Sequence, residues 1–195
     1  MPSSTYKRLS EKKKNSFEQA AIGEFAKHGY HQSSISRLVK TLGIAKGSVY
    51  QYFENKKALY QYLIDDTANQ LAEVIAYLDS QAGDDLADWF VHRTIAELKF
   101  SRQLGDKFDL LINLKHDHSE ELSAMKSEVL DKQKSLLKNA IESRVSSQKL
   151  VDPLLFVLSA VKDEFILKNK SALRTDEALL KELYAVTNIL FVANA

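Results

Sequence analysis

The stretch GIAKGSVYQYFENKKALY, Gly43 to Tyr60, sets three tyrosines, one phenylalanine and three lysines around small residues. A core segment has no use for the lysines, and a solvated face has no use for the rings. Val49 and Phe53 stand four apart, the spacing that puts two side chains on one face of a helix. Phe25, Leu38 and Leu42 upstream offer that face an apolar surface to meet. Ser48, Gln51 and Tyr52 then fall on the opposite side, with Gly47 and Tyr50 on its flanks. The spacing predicts a helix from about Ala45 to Phe53.

Immediately upstream, Ile35, Leu38, Val39 and Leu42 mark one face of a second short helix, with Ser33 or Ser34 as its N-cap and Gly43 as its left-handed C-cap. Two short helices joined by a glycine-containing turn form a helix-turn-helix, whose second helix enters the DNA major groove. The small residues Ala45, Gly47 and Ser48 let the backbone approach the groove floor. Gln51 can make paired hydrogen bonds to an adenine edge, and Ser48 can serve several bases. The hydroxyls of Tyr50 and Tyr52 can reach phosphate oxygens, with Lys46 before the helix and Lys56 after it. Phosphate contacts fix register, while base contacts carry sequence information.

Working outward, Phe17, Ala21 and Phe25 recur at steps of four and predict a helix from about Ser10 that stops near His28, because Gly29 can take the left-handed cap. Met1 to Leu9 show mixed polarity and no clear period, and read as a mobile arm. Downstream, Asn55 caps a long helix striped by Leu59, Leu63, Leu71, Val74 and Leu78. Further helices are expected from Asp84 to about Arg102, from Phe108 to Leu114, from a Ser119 cap through Val145, from Pro153 to about Leu167, and from Asp176 to Val192. In the helix from Pro153, Asp152 is the expected cap and proline the first helical residue; its apolar residues cover most of the circumference, so it should be buried on most sides. The expected fold is all-α, about nine helices: a three-helix head at residues 1–54 and a larger helical domain at 55–195.

Charge follows the same division. The whole chain carries a net +1, but residues 1–57 hold 11 Lys and Arg against 4 Asp and Glu, and residues 58–195 hold 16 against 22. A basic head on an acidic body suits a polyanion that meets only the head. There is no cysteine, which excludes disulfides and thiolate chemistry. No apolar run approaches the length of a membrane span, so no membrane partner is expected and the expected location is the cytoplasm. The sequence contains no H-E-x-x-H, no Gly-rich phosphate loop and no G-x-S-x-G. His116-Asp117-His118 places its histidines two apart, off any shared helix face, and reads as a solvated loop. No catalytic residue, metal or cofactor is expected, and the chain does not read as an enzyme.

Phe25 to Tyr60, FAKHGYHQSSISRLVKTLGIAKGSVYQYFENKKALY, resembles the DNA-binding head of the TetR/AcrR family of bacterial regulators. The likeness lies in the aromatic-Gly-Tyr ahead of the first short helix, the Gly-Ile-Ala-Lys-Gly-Ser turn, the Tyr-x-Tyr-Phe and the Asn-Lys-Lys-x-Leu that opens the long helix. It covers roughly the first third of the chain. Lys46, Gly47, Ser48, Tyr50, Gln51, Tyr52 and Lys56 match the family's usual DNA-contact positions, with Ser34, Ser36 and Arg37 as weaker candidates.

The resemblance implies a homodimer, a ligand pocket in the larger domain, and repression relieved by a small molecule. Trp89, Phe90, His92, Phe100, Phe108 and Phe165 are candidates to line that pocket, with His92 as its polar anchor, although aromatics at such spacing also serve as plain core. The last two long helices are the expected dimer interface, built as a four-helix arrangement. The expected function is a homodimeric, sequence-specific regulator of transcription, a repressor at a palindromic double-stranded operator. Two alternatives stand beside it: a ligand-independent DNA-organising protein of the same fold, and a helical carrier of a hydrophobic small molecule.

Overall fold

Ten α-helices, one 3-10 turn and no strand form the secondary structure of residues 1–192, the part of the chain described by the computed structural model. The helices are α1 (Ser4–Lys7), α2 (Glu11–Gln32), α3 (Ile35–Leu42), α4 (Lys46–Tyr52), α5 (Lys56–Gln81), α6 (Leu86–Leu104), α7 (Asp106–His116), α8 (Glu120–Glu142), α9 (Val151–Asn169) and α10 (Asp176–Val192), with the 3-10 turn at Gln148–Leu150. None of these helices is long and apolar enough to cross a membrane. Two compact units result. Unit 1 holds Met1–Asn69 and Leu104–Val129; unit 2 holds Gln70–Gln103 and, of the described residues, 130–192. The expected border at residue 54 falls within unit 1, which holds residues on both sides of it.

Unit 1 is built around Phe17, Ala21 and Phe25 of α2, Leu38 of α3, Val49 of α4, Phe53, and Leu59 and Leu63 of α5, all of them buried. Each large apolar side chain so placed stabilises the fold by roughly 1.5–3 kcal/mol. Gly29 adopts φ 64 and ψ 174, a conformation essentially restricted to glycine, and breaks α2 just after His28. A further helical turn follows the break and brings Tyr30 under Tyr60, with ring centroids 5.2 Å apart. Asn113 Nδ2 of α7 donates to the Ala26 carbonyl at 2.9 Å, tying α7 to α2.

The N-terminal segment departs from expectation. In place of a mobile arm, residues 4–7 form α1, capped by Ser3, whose Oγ accepts from the Tyr6 amide. Tyr6 is 2% exposed, its ring within 6 Å of Phe17, Tyr52, Phe53 and Tyr62. Its hydroxyl donates to Glu18 Oε1 at 2.7 Å, and Tyr62 donates to the same oxygen at 2.8 Å. Burial, with the Glu18 charge beside it, pushes the Tyr6 phenol far above its ordinary range; the same causes raise Tyr62 to about 12. Four helical residues are too few to show a period, so only tertiary packing reveals them. With α1 the helices number ten.

Unit 2 buries Trp89, Phe90 and Leu98 of α6, Leu137 and Ile141 of α8, Leu158 and Phe165 of α9, and Leu179 and Leu183 of α10. Two expectations for α9 change. The helix begins at Val151 after the 3-10 turn, with Leu150 rather than Asp152 at the cap. Pro153 therefore sits third, still in the first turn, where backbone N–H groups have no intrahelical acceptor and a proline costs nothing. Nor is α9 buried on most sides: Phe156 is 78% exposed and Leu167 lies open, as does Ile189 of α10.

Candidate nucleic-acid interface

The turn between α3 and α4 fixes the direction of α4. Gly43 takes φ 65 and ψ 29, and the Ile44 amide reaches back to the Val39 carbonyl at 3.2 Å, closing the end of α3. Ser34, rather than Ser33, caps the start of α3, its Oγ accepting from the Arg37 amide. α4 then runs for seven residues. Val49 points into unit 1 at 2% exposure, and Phe53 follows it inward at the end of the helix.

The opposite face is open. Lys46, Gly47, Tyr50 and Gln51 are exposed and Ser48 is half-buried. Among the described residues the side chains of Ser36, Lys46, Ser48, Tyr50 and Gln51 have no hydrogen-bond or ion-pair partner, so their donors and acceptors are free for an external ligand. Behind this face α4 is held firmly. The Ser3 amide donates to the Tyr52 carbonyl at 2.9 Å, and Ser3 Oγ donates to the Gln51 carbonyl at 2.6 Å. These bonds satisfy carbonyls that a helix end otherwise leaves open. Tyr52 packs its ring on Tyr6 and Phe17, at 5.7 and 5.6 Å, while its hydroxyl has no partner among the described residues. One side chain thus anchors the helix and presents a hydroxyl beside the open face.

Three other candidates are already engaged within the chain. Ser34 serves as the cap of α3. Arg37 donates from Nε and Nη2 to Glu24 Oε1, at 3.0 and 2.6 Å, and from Nη2 to the Gln32 carbonyl. Burial opposes the charged form of Glu24, but the Arg37 and Ser34 hydrogen bonds outweigh it and hold the carboxyl below its usual range. Lys56 Nζ donates to the carbonyls of Tyr30 at 2.7 Å and Ser33 at 3.3 Å, and lies 4.4 Å from the Tyr30 ring centroid. Lys56 therefore closes the broken end of α2, with one ammonium hydrogen left over.

The candidate ligand residues are dispersed. Trp89 and His92 border a cavity of about 310 Å³ in unit 2. Phe90 and Phe165 are buried in unit 2, Phe108 is buried in unit 1, and Phe100 is half-buried. A charged network on α6 escaped the reading of the sequence. Arg93, 3% exposed, donates to Asp79 Oδ2 at 2.9 Å and Glu97 Oε1 at 2.8 Å, and Lys162 Nζ donates to Glu97 Oε2 at 3.2 Å. The signal was the i, i+4 spacing of Trp89, Arg93 and Glu97, which puts a charged pair on the face of a buried tryptophan. Burial works against the charge on Glu97, but Lys162 and Arg93 prevail and hold its carboxyl below the ordinary range; Glu97 likewise raises Lys162 against its own burial.

His116-Asp117-His118 ends α7. His31 Nε2 stands 3.2 Å from Asp117, whose carboxylate also accepts from the Ser119 amide and hydroxyl. Among the described residues no group of acidic and histidine side chains is arranged to hold a metal ion.

Residues 19–63, which contain α3, α4 and their turn, match the family described as bacterial regulatory proteins, tetR family. The chain is similar to the fatty acid metabolism regulator protein of Bacillus subtilis, 39% identical over 54 residues that span 28% of each protein. It is 27% identical over 159 residues, 78% of each chain, to the HTH-type transcriptional repressor AcnR of Corynebacterium diphtheriae. Its fold is similar to that of the regulator FadR from Bacillus subtilis, solved in complex with stearoyl-CoA, with a TM-score of 0.68, 18% identity, and coverage of 87% of this chain and 97% of that one.

Proposed function

The chain belongs to the TetR family of bacterial transcriptional regulators, and from that premise we propose that it is a homodimeric repressor that releases a palindromic operator when a small molecule binds. The observation that carries the DNA-reading part is the open face of α4: its inward residues and last turn are pinned, while Lys46, Ser48, Tyr50 and Gln51 have no side-chain hydrogen-bond or ion-pair partner among the described residues. Gln51 and Ser48 read base edges; Lys46, Tyr50 and Tyr52 hold phosphates. Ser36 and the remaining Lys56 hydrogen add phosphate contacts at the rim, while Ser34 and Arg37 act chiefly within the chain.

The dimer reading is supported by Phe156 and Leu167 of α9 and Ile189 of α10, large apolar side chains left open on the two helices that the family resemblance assigns to the interface. Two heads on one DNA face need a separation of about 34–36 Å, so a ligand that alters their spacing weakens one half-site; a coupling of ~1–3 kcal/mol suffices to change occupancy. The complex of the similar FadR with stearoyl-CoA supports a ligand-responsive body. The experiment is selection of bound duplexes from fragmented genomic DNA by the purified protein, read by sequencing. A two-fold symmetric site should be enriched. Equal, salt-sensitive retention of all fragments would replace the operator reading with that of a DNA organiser.

A further inference from the structure

The cavity in unit 2 has a donor with no acceptor among the described residues. It is bordered by Leu78, Gln81, Ala82, Trp89, His92 and Arg93 and measures about 310 Å³, the volume of about ten waters and the lower end of the range for small-molecule sites. Arg93 spends Nη1 on Asp79 and Nε on Glu97. Its Nη2 has no hydrogen-bond partner among the described residues, yet it is not sealed in protein, since Thr94 Oγ1 alone is both sealed and unpartnered among the described side chains. Arg93 is only 3% exposed, so its open donor is reached through the pocket, where a molecule in the cavity can accept from it.

Charge sets the class of acceptor. Arg93 and Lys162 are already matched by Asp79 and Glu97, and Asp163 stands 3.5 Å from Lys162 as a further negative group. Asp88, largely exposed, adds a carboxylate at the cavity edge. With the Arg144 guanidinium beside Trp89 counted as well, three cations face the four carboxylates of Asp79, Glu97, Asp163 and Asp88, so among the described residues no excess positive charge remains to hold an anion. The rest of the wall is apolar: Leu78, Ala82 and Trp89, whose ring lies under the Arg93 and Arg144 guanidiniums at 5.3 and 4.7 Å. We propose that this cavity is the effector site and takes a small, neutral molecule whose carbonyl oxygen accepts from Arg93 Nη2 while its apolar body rests on Leu78, Ala82 and Trp89. The proposal rests on the reading of the chain as a ligand-responsive regulator and narrows it to a compact ligand, too small to be a long-chain acyl group.

Trp89 is the sole tryptophan, so the protein has one indole N–H resonance, and it sits at the cavity. The full ¹⁵N-labelled chain is titrated with three probes of like size: acetophenone, which offers a neutral carbonyl; benzoate, which offers a carboxylate; and ethylbenzene, which offers no acceptor. Acetophenone should move the resonance saturably, with ethylbenzene and benzoate weaker by roughly tenfold or more. Ala82→Phe fills the cavity from its rim without touching the charged network, and should abolish the shift while leaving the circular dichroism and duplex affinity unchanged. Arg93→Lys keeps the charge, removes Nη2 and should erase the preference for acetophenone over ethylbenzene. Absence of a saturable shift, equal binding of the three probes, a preference for benzoate, or binding that survives Ala82→Phe would each overturn the proposal. Duplex binding is measured on the same samples without probe. A protein that binds acetophenone but no duplex overturns the regulator reading, and one that binds duplex but no acetophenone overturns this site alone.

Discussion

Gln51 and Tyr50 are neighbours with separable tasks. Replacing Gln51 by alanine should relax preference at one base position, at about 1–3 kcal/mol on the preferred duplex and little on others, read as binding to a set of singly substituted operators. Tyr50→Phe should weaken all of those duplexes alike, because a phosphate contact carries no sequence. The faces of α4 were legible in the sequence because a helix turns each residue by a fixed angle, so Val49 and Phe53 inward force Gln51 outward. The Glu97 network was not. A carboxylate on an amphipathic helix ordinarily reads as solvent-facing, and its partner Lys162 lies far along the chain. Glu97→Gln takes the shared carboxylate from two buried cations, leaving Arg93 with Asp79 alone and Lys162 with Asp163 alone among the described residues, and should lower unfolding stability by about 3–5 kcal/mol in urea titrations. The pH dependence has a definite sign. Because the carboxyl lies below its ordinary range when folded, its contribution is present at neutral pH and is lost as pH falls through the folded value; the variant should lose less stability than wild type between pH 6 and pH 3, pH values taken as roughly bracketing a carboxylate titration.

At the scale of elements, α1 and the break at Gly29 govern how α4 is held. Tyr6→Ala removes a ring that meets four others and should cost about 3–5 kcal/mol, whereas Tyr6→Phe, which leaves Tyr62 on Glu18, should cost about 1 kcal/mol. Both effects are measured by chemical denaturation, and the first should also weaken operator binding, since Ser3 and Tyr6 secure the last turn of α4. Gly29→Ala forces a side chain into a glycine-only conformation and should cost about 1–3 kcal/mol in the same assay. Although adjacent serines left the cap of α3 open between Ser33 and Ser34, caps were readable from the sequence where one residue type does the work, as at Gly43 and at Asn55, whose Oδ1 accepts from the Ala58 amide at 2.8 Å. The start of α9 was not, because a proline is equally acceptable anywhere in a first turn.

For the whole molecule, the segregation of charge predicts that the logarithm of operator affinity falls linearly with the logarithm of salt concentration. Lys46→Ala should reduce that slope by about one unit per head. Paired substitution of Phe156 and Ile189 by glutamate should shift the protein toward monomer in sedimentation and weaken operator binding with it, because one head alone holds half a site. The basic head and helical body were visible in composition, but the spatial grouping was not: α7, distant in sequence, packs on α2, and the Asn113 side chain that joins them carries no local pattern.

The aromatic nest of Tyr6, Phe17, Tyr52, Phe53 and Tyr62 draws members from both ends of the first 62 residues. During synthesis at roughly 5–20 residues per second, Tyr6 emerges about 3–11 s before Tyr62 exists to receive it. Local helices form far faster than that, but a helix of seven residues is marginal on its own, so the reading helix waits on its tertiary partners, of which Tyr62 is the last to arrive. Its final footing is a late event, set by the arrival of α5 rather than by any property of α4 itself.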